Sequence, residues 1–329
     1  MNLLVFEYAT ATGIQDHSIL IEGKSMLEAL LHDLREFKPS YLICEKFHHL
    51  IDYPNPIILQ EDLGSWIREH ASEFDATLFI APEENMELYK LTRLLESKDV
   101  KIMGSASEAV LICSDKLRTY NALKGKVPLI ETYETDDIKF RGKMVVKPVD
   151  GVACQGIKII ESSEELEKVI ASSDSRMILQ RFVEGEAASV SLLSNGKTAL
   201  PLSLNRQYIE YNNGRLEYNG GITPFKHEMA ADALLVAKKA VESIDGLRGY
   251  VGVDLILSDK IYVVELNSRI TTPYIALRKL IDINLGKAII AAVNGKMPRG
   301  WSINGVAEFK KGKNSMKISQ VDSYESCGN

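Results

Sequence analysis

The first hundred residues alternate short apolar runs with amphipathic ones, and few architectures accommodate that rhythm. Leu3 to Tyr8, Tyr41-Leu-Ile-Cys44 and Ala76-Thr-Leu-Phe-Ile80 read as strands, with helices near Lys24 to Glu36, Asp62 to Ser72 and Leu88 to Leu95 between and after them. Val100-Lys-Ile-Met103 closes the series as a short strand. Strands separated by helices pair in parallel, because the crossover helix carries the chain back to start the next strand in the same direction. Residues 1–105 are therefore expected to form an α/β domain with helices on the faces of a parallel sheet. Ligands of such sheets bind at the carboxyl ends of the strands, which makes Glu7-Tyr8-Ala-Thr-Ala-Thr-Gly13 a candidate substrate loop. A plain Thr/Gly-rich connector fits it equally well.

From Ser105 the texture changes. Ser107 is expected to cap a helix through Leu117, and Thr119 to Leu123 continues helical until Gly125 and Pro128 break the pattern. Met144-Val-Val-Lys147 and Gly156-Ile-Lys-Ile-Ile160 read as strands joined by a small-residue loop. A helix from Ser163 to Ile170 follows, opening on the capping-box pattern Ser163-Glu-Glu-Leu-Glu167. Strands at Met177 to Phe182 and Ala187 to Leu193 complete an α+β module of about 75 residues, the size of a compact subdomain. Glu228 to Ile244 reads as a helix with apolar residues at 229, 233, 234, 237, 240, 241 and 244, and Gly246 sits where a C-terminal cap belongs. Residues 301–329 are polar, rich in Lys and Ser and weakly patterned, and read as a tail or loosely attached edge.

Composition narrows the function. With 329 residues and 45% apolar content the chain can bury the cores of two domains, or of one domain with a lid. Its net charge of −6 argues against a broad nucleic-acid-binding face while leaving room for a local basic pocket, so a small-molecule site is expected. No apolar run approaches the roughly 20 residues of a membrane span. The chain opens on Leu3-Leu-Val-Phe6 without a basic leader, so cytoplasmic residence is the default. Cys44, Cys113, Cys154 and Cys327 show neither Cys-x-x-Cys spacing nor a neighbouring His cluster, which points to free thiols and away from zinc or disulfides.

Oxygen-bearing side chains concentrate in Tyr250-Val-Gly-Val-Asp254-Leu-Ile-Leu-Ser258-Asp-Lys260-Ile-Tyr-Val-Val-Glu265-Leu-Asn267-Ser-Arg269. Strand alternation places Glu265 and Asn267 on one face together with Ile261 and Val263. A tight turn at Ser258-Asp-Lys260, pairing Ser258 with Ile261 or Leu257 with Tyr262, sets Asp254 directly opposite Glu265. Three hard-oxygen ligands then converge. Such a set suits Mg²⁺, which takes one or two carboxylates and shares its other positions between water and substrate phosphates. The Glu-x-Asn spacing by itself fits a satisfied polar pair on an exposed strand face equally well.

Other candidates lie upstream. Lys116 falls in a helical stretch, where a lysine is usually solvated, whereas Lys147 ends an apolar strand beside a Gly-bearing loop and is a candidate phosphate contact. The loop Asp150-Gly151-Val-Ala-Cys-Gln-Gly156 is small enough for its backbone N–H groups to approach an anion, though a hairpin turn also fits. It lacks the G-x-x-x-x-G-K-[ST] pattern of a P-loop. Gln180-Arg181-Phe182-Val183-Glu184-Gly185-Glu186 runs off a strand into a Gly turn, where backbone groups could meet an adenine edge and a carboxylate could accept from ribose hydroxyls. Alone, it is a polar turn.

Taken in order, these segments resemble the ATP-grasp superfamily of carboxylate–amine ligases, from Ser-Asp-Lys116 through Asp254 and Glu265-Leu-Asn267-Ser-Arg269. The resemblance implies two α+β subdomains gripping ATP over residues 106–300, with a lid at about 117–180, preceded by the parallel-sheet domain. It implies that Lys116, Lys147 and the loop bounded by Gly151 and Gly156 contact ATP phosphates. Gln180, Arg181, Phe182 and Val183 would meet the adenine, and Glu186 the ribose. Asp254, Glu265 and Asn267 would hold two Mg²⁺ ions, or Mn²⁺ in their place, and Arg269 and Arg206 would grip the transferring phosphoryl group or the acceptor carboxylate. Many members carry Glu where this chain has Gln180, whose amide can still accept from the exocyclic amine.

More narrowly, Phe6-Glu-Tyr-Ala-Thr-Ala-Thr-Gly13, Ala188-Ser-Val-Ser-Leu-Leu193, Pro201-Leu-Ser-Leu-Asn205-Arg206-Gln207 and Gly220-Gly-Ile-Thr-Pro224 resemble archaeal tyramine–glutamate ligases of methanofuran biosynthesis. That implies an amino acid and an amine as substrates, with Glu7 or Tyr8 expected to recognise the amine. An ATP-grasp ligase for another amino-acid, peptide or purine-pathway substrate is the alternative, and a non-catalytic ATP-binding regulator is a further one. Neither a nucleic acid nor a membrane is expected as partner, and a homo-oligomer is compatible with the sequence.

Overall fold

The computed structural model describes residues 1–321 apart from 136–139, 141, 152–154, 174 and 213–214. The loop residues Val152, Ala153 and Cys154, the turn residues Asn213 and Gly214, and Cys327 lie outside the described residues.

Leu3–Glu7 is buried on both sides, as a continuous apolar run requires: Leu3 and Val5 enter one core, Leu4 and Phe6 another. It is the central strand of a five-stranded parallel sheet ordered Pro56–Leu59, Ser40–Cys44, Leu3–Glu7, Ala76–Ile80, Lys101–Ile102. The helix His17–Asp33 covers one face through Leu27, Leu30 and Leu31. Leu63–His70 and Glu87–Glu96 cover the other through Trp66, Ile67, Leu88 and Leu91. This is the expected α/β unit with one strand added: Pro56–Leu59 escaped the sequence pattern because prolines open it, which an edge strand tolerates. The strand order reverses at Leu3–Glu7, so the crevice beyond Glu7 and Ile80 is where such a sheet takes ligands.

A seven-stranded antiparallel sheet follows, ordered Ile261–Asn267, Arg248–Leu257, Glu186–Asn195, Ala199–Asn212, Arg215–Thr223, Ala307–Lys311, Met316–Gln320. Helix Ala230–Glu242 packs on one face through Ala233, Ala237, Ala240 and Val241, and Gly246 follows with φ 87°, in line with the amphipathic pattern. The opposite face meets the helices Tyr274–Leu280 and Leu285–Val293, which share a single core with His17–Asp33 of the first unit. The expected tail is therefore corrected: residues 307–320 are two strands of this sheet, and Phe309 is fully buried. Alternating Phe309 with Glu308 and Lys310 gives an edge hairpin whose charged face reads as tail-like.

The third sheet, ordered Thr132–Glu134, Met177–Arg181, Met144–Pro148, Lys158–Ile160, has its own small core with helix Ser163–Ala171. That helix is capped by Ser162, which accepts from Glu165 N at 3.2 Å while Glu165 Oε2 accepts from Glu161 N at 2.8 Å; the capping box sits one residue earlier than expected. Helix Lys116–Leu123 bridges the large and third sheets: Leu123 enters the core of the large sheet, while Leu117 packs against Val149 and Ile178 beside the third sheet. Among the described residues no helix is long and apolar enough to cross a membrane. Cys44 and Cys113 are free thiols.

Candidate active site

Asp254 faces Glu265 across the strand pair, as expected, but by a different route. The turn pairs Leu257 with Ile261, one residue out of the register that would bring the two acids together, and Ser258 N donates to Lys260 O at 3.0 Å. A bulge then opposes Asp254 and Leu255 to Glu265 and Val263, leaving Val264 extra and restoring the acid pair. The bulge also overturns the expected face. Ile261, Val263 and Leu266 all enter the core under helix Ala230–Glu242, so Glu265 and Asn267 lie on the opposite side from Ile261 and Val263.

On that side the polar groups converge. Asn267 Nδ2 donates to Asp254 Oδ2 at 3.2 Å, and Gln207 Nε2 donates to Asp254 Oδ1 at 3.0 Å. Burial and the neighbouring Glu265 carboxylate push Asp254 well above the ordinary carboxylate range. Burial works in the same direction on Glu265, but Lys116 and Lys147 outweigh it and hold that carboxyl below its usual value. Two recessed carboxylates repelling one another in this way form a site that a divalent cation would relieve, and the oxygen donors fit Mg²⁺ or Mn²⁺.

Both lysines reach the pair from outside the large sheet. The expected continuous helix breaks at Asp115, whose carboxylate accepts from Leu117 N and Arg118 N at 2.9 Å each and starts a new helix at Lys116. Lys116 N donates to Val149 O at 2.8 Å, and its Nζ donates to Gly151 O at 3.1 Å and lies 3.5 Å from Glu265 Oε2. Lys147 is 2% exposed. In its sheet Val146 and Leu179 point into the small core, so Lys147 and Gln180 share the opposite face. Gln180 Nε2 donates to Thr132 Oγ1 at 2.8 Å. Arg181 N and Phe182 N donate to Glu131 O at 3.1 Å and to Lys143 O at 3.2 Å. Gly156 has φ 70°, and a Cβ there would lie 2.8 Å from Pro148 Cγ, so this position calls for glycine.

Arg269 is gripped from the first sheet. Its Nε and Nη2 both donate to Glu83 Oε2, at 3.1 and 2.7 Å, and Glu83 outweighs burial to raise the guanidinium's pKa. Glu83 follows Ile80 at the crevice of the parallel sheet. Sequence reasoning missed it, although an acid three residues past a strand's carboxyl end at the point where strand order reverses is a usable signal. Gln207, on strand Ala199–Asn212, is the other addition to the cluster, through Asp254. Arg206 does not join the cluster: it sits on the Leu204 side of its strand, 3.8 Å from Glu186 and over the Phe225 ring. Glu186, opposite the core residue Leu257, lies on that side too. Glu7 is spent on capping helix Tyr8–Thr12, accepting from Ala9 N at 3.0 Å and Thr10 N at 2.9 Å, which removes it as the amine contact. The Tyr8 phenol is raised by burial and by Glu87.

A carboxylate pair backed by Lys147 from the third sheet and Lys116 from the start of a helix, and an arginine steadied by a parallel-sheet domain, are the parts of an enzyme that clasps ATP between two subdomains. The chain matches the ATP-grasp domain family over residues 113–273 and the pre ATP-grasp 3 domain family over residues 58–110. It is 37% identical over 302 residues to the tyramine–L-glutamate ligase of Methanocaldococcus fervens, spanning 89% of this chain and 94% of that one. It is 36% identical over 287 residues to the tyramine–L-glutamate ligase of Methanocaldococcus jannaschii, 84% of each. The fold matches the crystal structure of an ATP-grasp superfamily protein from Archaeoglobus fulgidus with a TM-score of 0.78 at 27% identity, covering 98% of this chain and all of that one. The chain belongs to the ATP-grasp family, as an ATP-dependent ligase joining a carboxylate to an amine.

Proposed function

We propose that this ligase joins the γ-carboxyl group of L-glutamate to the amine of tyramine, in the cytoplasm, using ATP and two Mg²⁺ ions. The observation that carries the reading is the Asp254–Glu265 pair with Lys116 at 3.5 Å, together with the similarity to the two Methanocaldococcus ligases over most of the chain. A γ-carboxylate oxygen attacks the γ-phosphorus of ATP and ADP leaves; the tyramine nitrogen then attacks the acyl carbon, loses a proton, and phosphate departs with the carboxylate oxygen. Phosphoryl transfer asks mainly for positioning and charge neutralisation, and these residues supply both.

Asp254, Glu265 and Asn267 would hold Mg²⁺, which supplies neutralisation of the phosphate oxygens. Asn267 turns its nitrogen to Asp254 in this structure, and a half-turn of the amide offers its oxygen to a cation. Lys147 and Lys116 offset phosphate charge; Arg269, whose Nε and Nη2 are held by Glu83 and whose Nη1 donates to Ile270 O, would turn its remaining Nη hydrogens to the reacting carboxylate or phosphoryl group. The phosphoryl role proposed for two arginines falls to Arg269 alone, because Arg206 faces the other side of the sheet.

Replacement of Lys147 by methionine is expected to weaken nucleotide binding by about 1–3 kcal/mol, the cost of losing a charge-assisted contact. Titration calorimetry with ADP measures this, and unaltered affinity would remove Lys147 from the phosphate site. The substrates are tested by ADP release across pairings of amino acids and amines: release is expected with L-glutamate and tyramine together. Release driven by a different acid, with none from L-glutamate, would redirect the assignment.

A further inference from the structure

One recessed polar cluster lies outside the groups assigned to the nucleotide. Glu22, on helix His17–Asp33, accepts from Thr272 Oγ1 at 3.0 Å and is bridged by Lys311 Nζ at 2.6 Å. Lys311 comes from the strand Ala307–Lys311; its Nζ lies 5.8 Å from the centroid of the Tyr218 ring and also donates to Ser18 Oγ at 2.7 Å. The two charged side chains are only 20% (Lys311) and 15% (Glu22) exposed. Four segments far apart in sequence thus converge on one spot.

The spot adjoins the catalytic groups. Burial raises the Tyr218 phenol and the carboxylates of Glu22 and Asp254 raise it further, and Glu22 also acts on the Arg269 guanidinium. Thr272 is three residues beyond Arg269, which limits their separation along the chain to about 10 Å.

We infer that Glu22 and Lys311 hold the zwitterionic head group of the amino-acid substrate, the α-ammonium on Glu22 and the α-carboxylate on Lys311, leaving only the distal carboxyl to reach Asp254, Glu265 and Arg269. The inference rests on the proposed acid substrate and adds which residues select it. An ion pair that opens onto a zwitterion exchanges each partner for a group of the same sign, so no unpaired charge is buried in either state. The pairing also decides between the two substrates. An amine nucleophile carries one charged group and must lose that charge to attack, so it has no use for a lysine beside it; an amino acid matches both signs.

The test compares KM values of wild type, Glu22→Gln and Lys311→Met for L-glutamate, for glutarate, which lacks the α-ammonium, and for 4-aminobutyrate, which lacks the α-carboxylate. Glu22→Gln is expected to raise KM for L-glutamate about 10- to 100-fold, the selectivity of a lost charge-assisted contact, and to leave KM for glutarate, tyramine and ATP unchanged. Lys311→Met is expected to erase the preference for L-glutamate over 4-aminobutyrate. If either variant fails to fold, Thr272→Val, which removes the hydroxyl orienting Glu22, should raise KM for L-glutamate in the same selective way. Unchanged selectivity in these variants would overturn the assignment, as would a loss that appears in KM for tyramine. A wild-type enzyme that releases no ADP with L-glutamate and tyramine would instead overturn the substrate reading, and the head-group assignment with it.

Discussion

Glu265→Gln is expected to cut ADP formation by about a thousandfold or more while leaving the protein folded. The carboxylate sits opposite Asp254 and 3.5 Å from Lys116 Nζ, so it is placed to hold a cation against the phosphates. Losing such a cation removes several kcal/mol of transition-state stabilisation, and each 1.36 kcal/mol is about a factor of ten in rate. Stability responds differently because two effects oppose. The substitution forfeits the attraction that Lys116 and Lys147 exert on Glu265, and it relieves the repulsion that pushes Asp254 upward. Unfolding free energy is therefore expected to change by no more than about 1–2 kcal/mol. A coupled ADP assay and a denaturant titration on the same preparation read both quantities. Retained turnover would dismiss this pair as the metal platform, and gross unfolding would show that Glu265 is mainly a structural counter-charge.

The second large effect belongs to the Arg269–Glu83 pair. Both side chains are recessed, 15% and 6% exposed, and the contact joins the loop after Asn267 to the crevice of the parallel sheet. Removing one partner strands the other as a buried charge, which costs about 3–5 kcal/mol. Arg269→Met should lower the unfolding free energy by that amount, and adding Glu83→Leu should restore most of it. Activity should behave otherwise. With the guanidinium gone, turnover is expected to fall about 10²- to 10³-fold, the usual loss when a preorganised donor to developing charge is deleted, and the second substitution should not bring it back. A double-mutant cycle run on both readouts separates the two roles. Additive stabilities would mean the pair is not coupled, and restored activity would mean Arg269 only holds the two units together.

How much of this was legible in the sequence depended on how local each feature was. The parallel sheet declared itself through alternating strand and helix patterns, since each element carries its own periodicity. The facing of Asp254 and Glu265 was foreseen, but from a turn register that the chain does not use; the Val264 bulge supplies the missing residue, and no glycine marks it. For the same reason the expected partners of Glu265 and Asn267 on their face were inverted. The break at Asp115 was hidden because apolar residues run through it, although Asp before Lys116 is a capping residue by chemistry. Glu83, Glu22 and Lys311 were not legible as site residues at all. Their roles arise only when separate sheets are laid against one another, and no spacing in the chain encodes that. The final hairpin shows the limit in another form: one buried aromatic, Phe309, among charged neighbours is enough to place a strand, yet too little to reveal it.

The central claim is that this site activates a carboxylate as an acyl phosphate before an amine attacks. L-Glutamate labelled with ¹⁸O in its γ-carboxyl group, turned over with ATP and tyramine, tests it most directly by mass spectrometry of the inorganic phosphate released. One labelled oxygen is predicted in each phosphate, because the oxygen that attacks the γ-phosphorus leaves with it. Unlabelled phosphate alongside amide product would contradict the account.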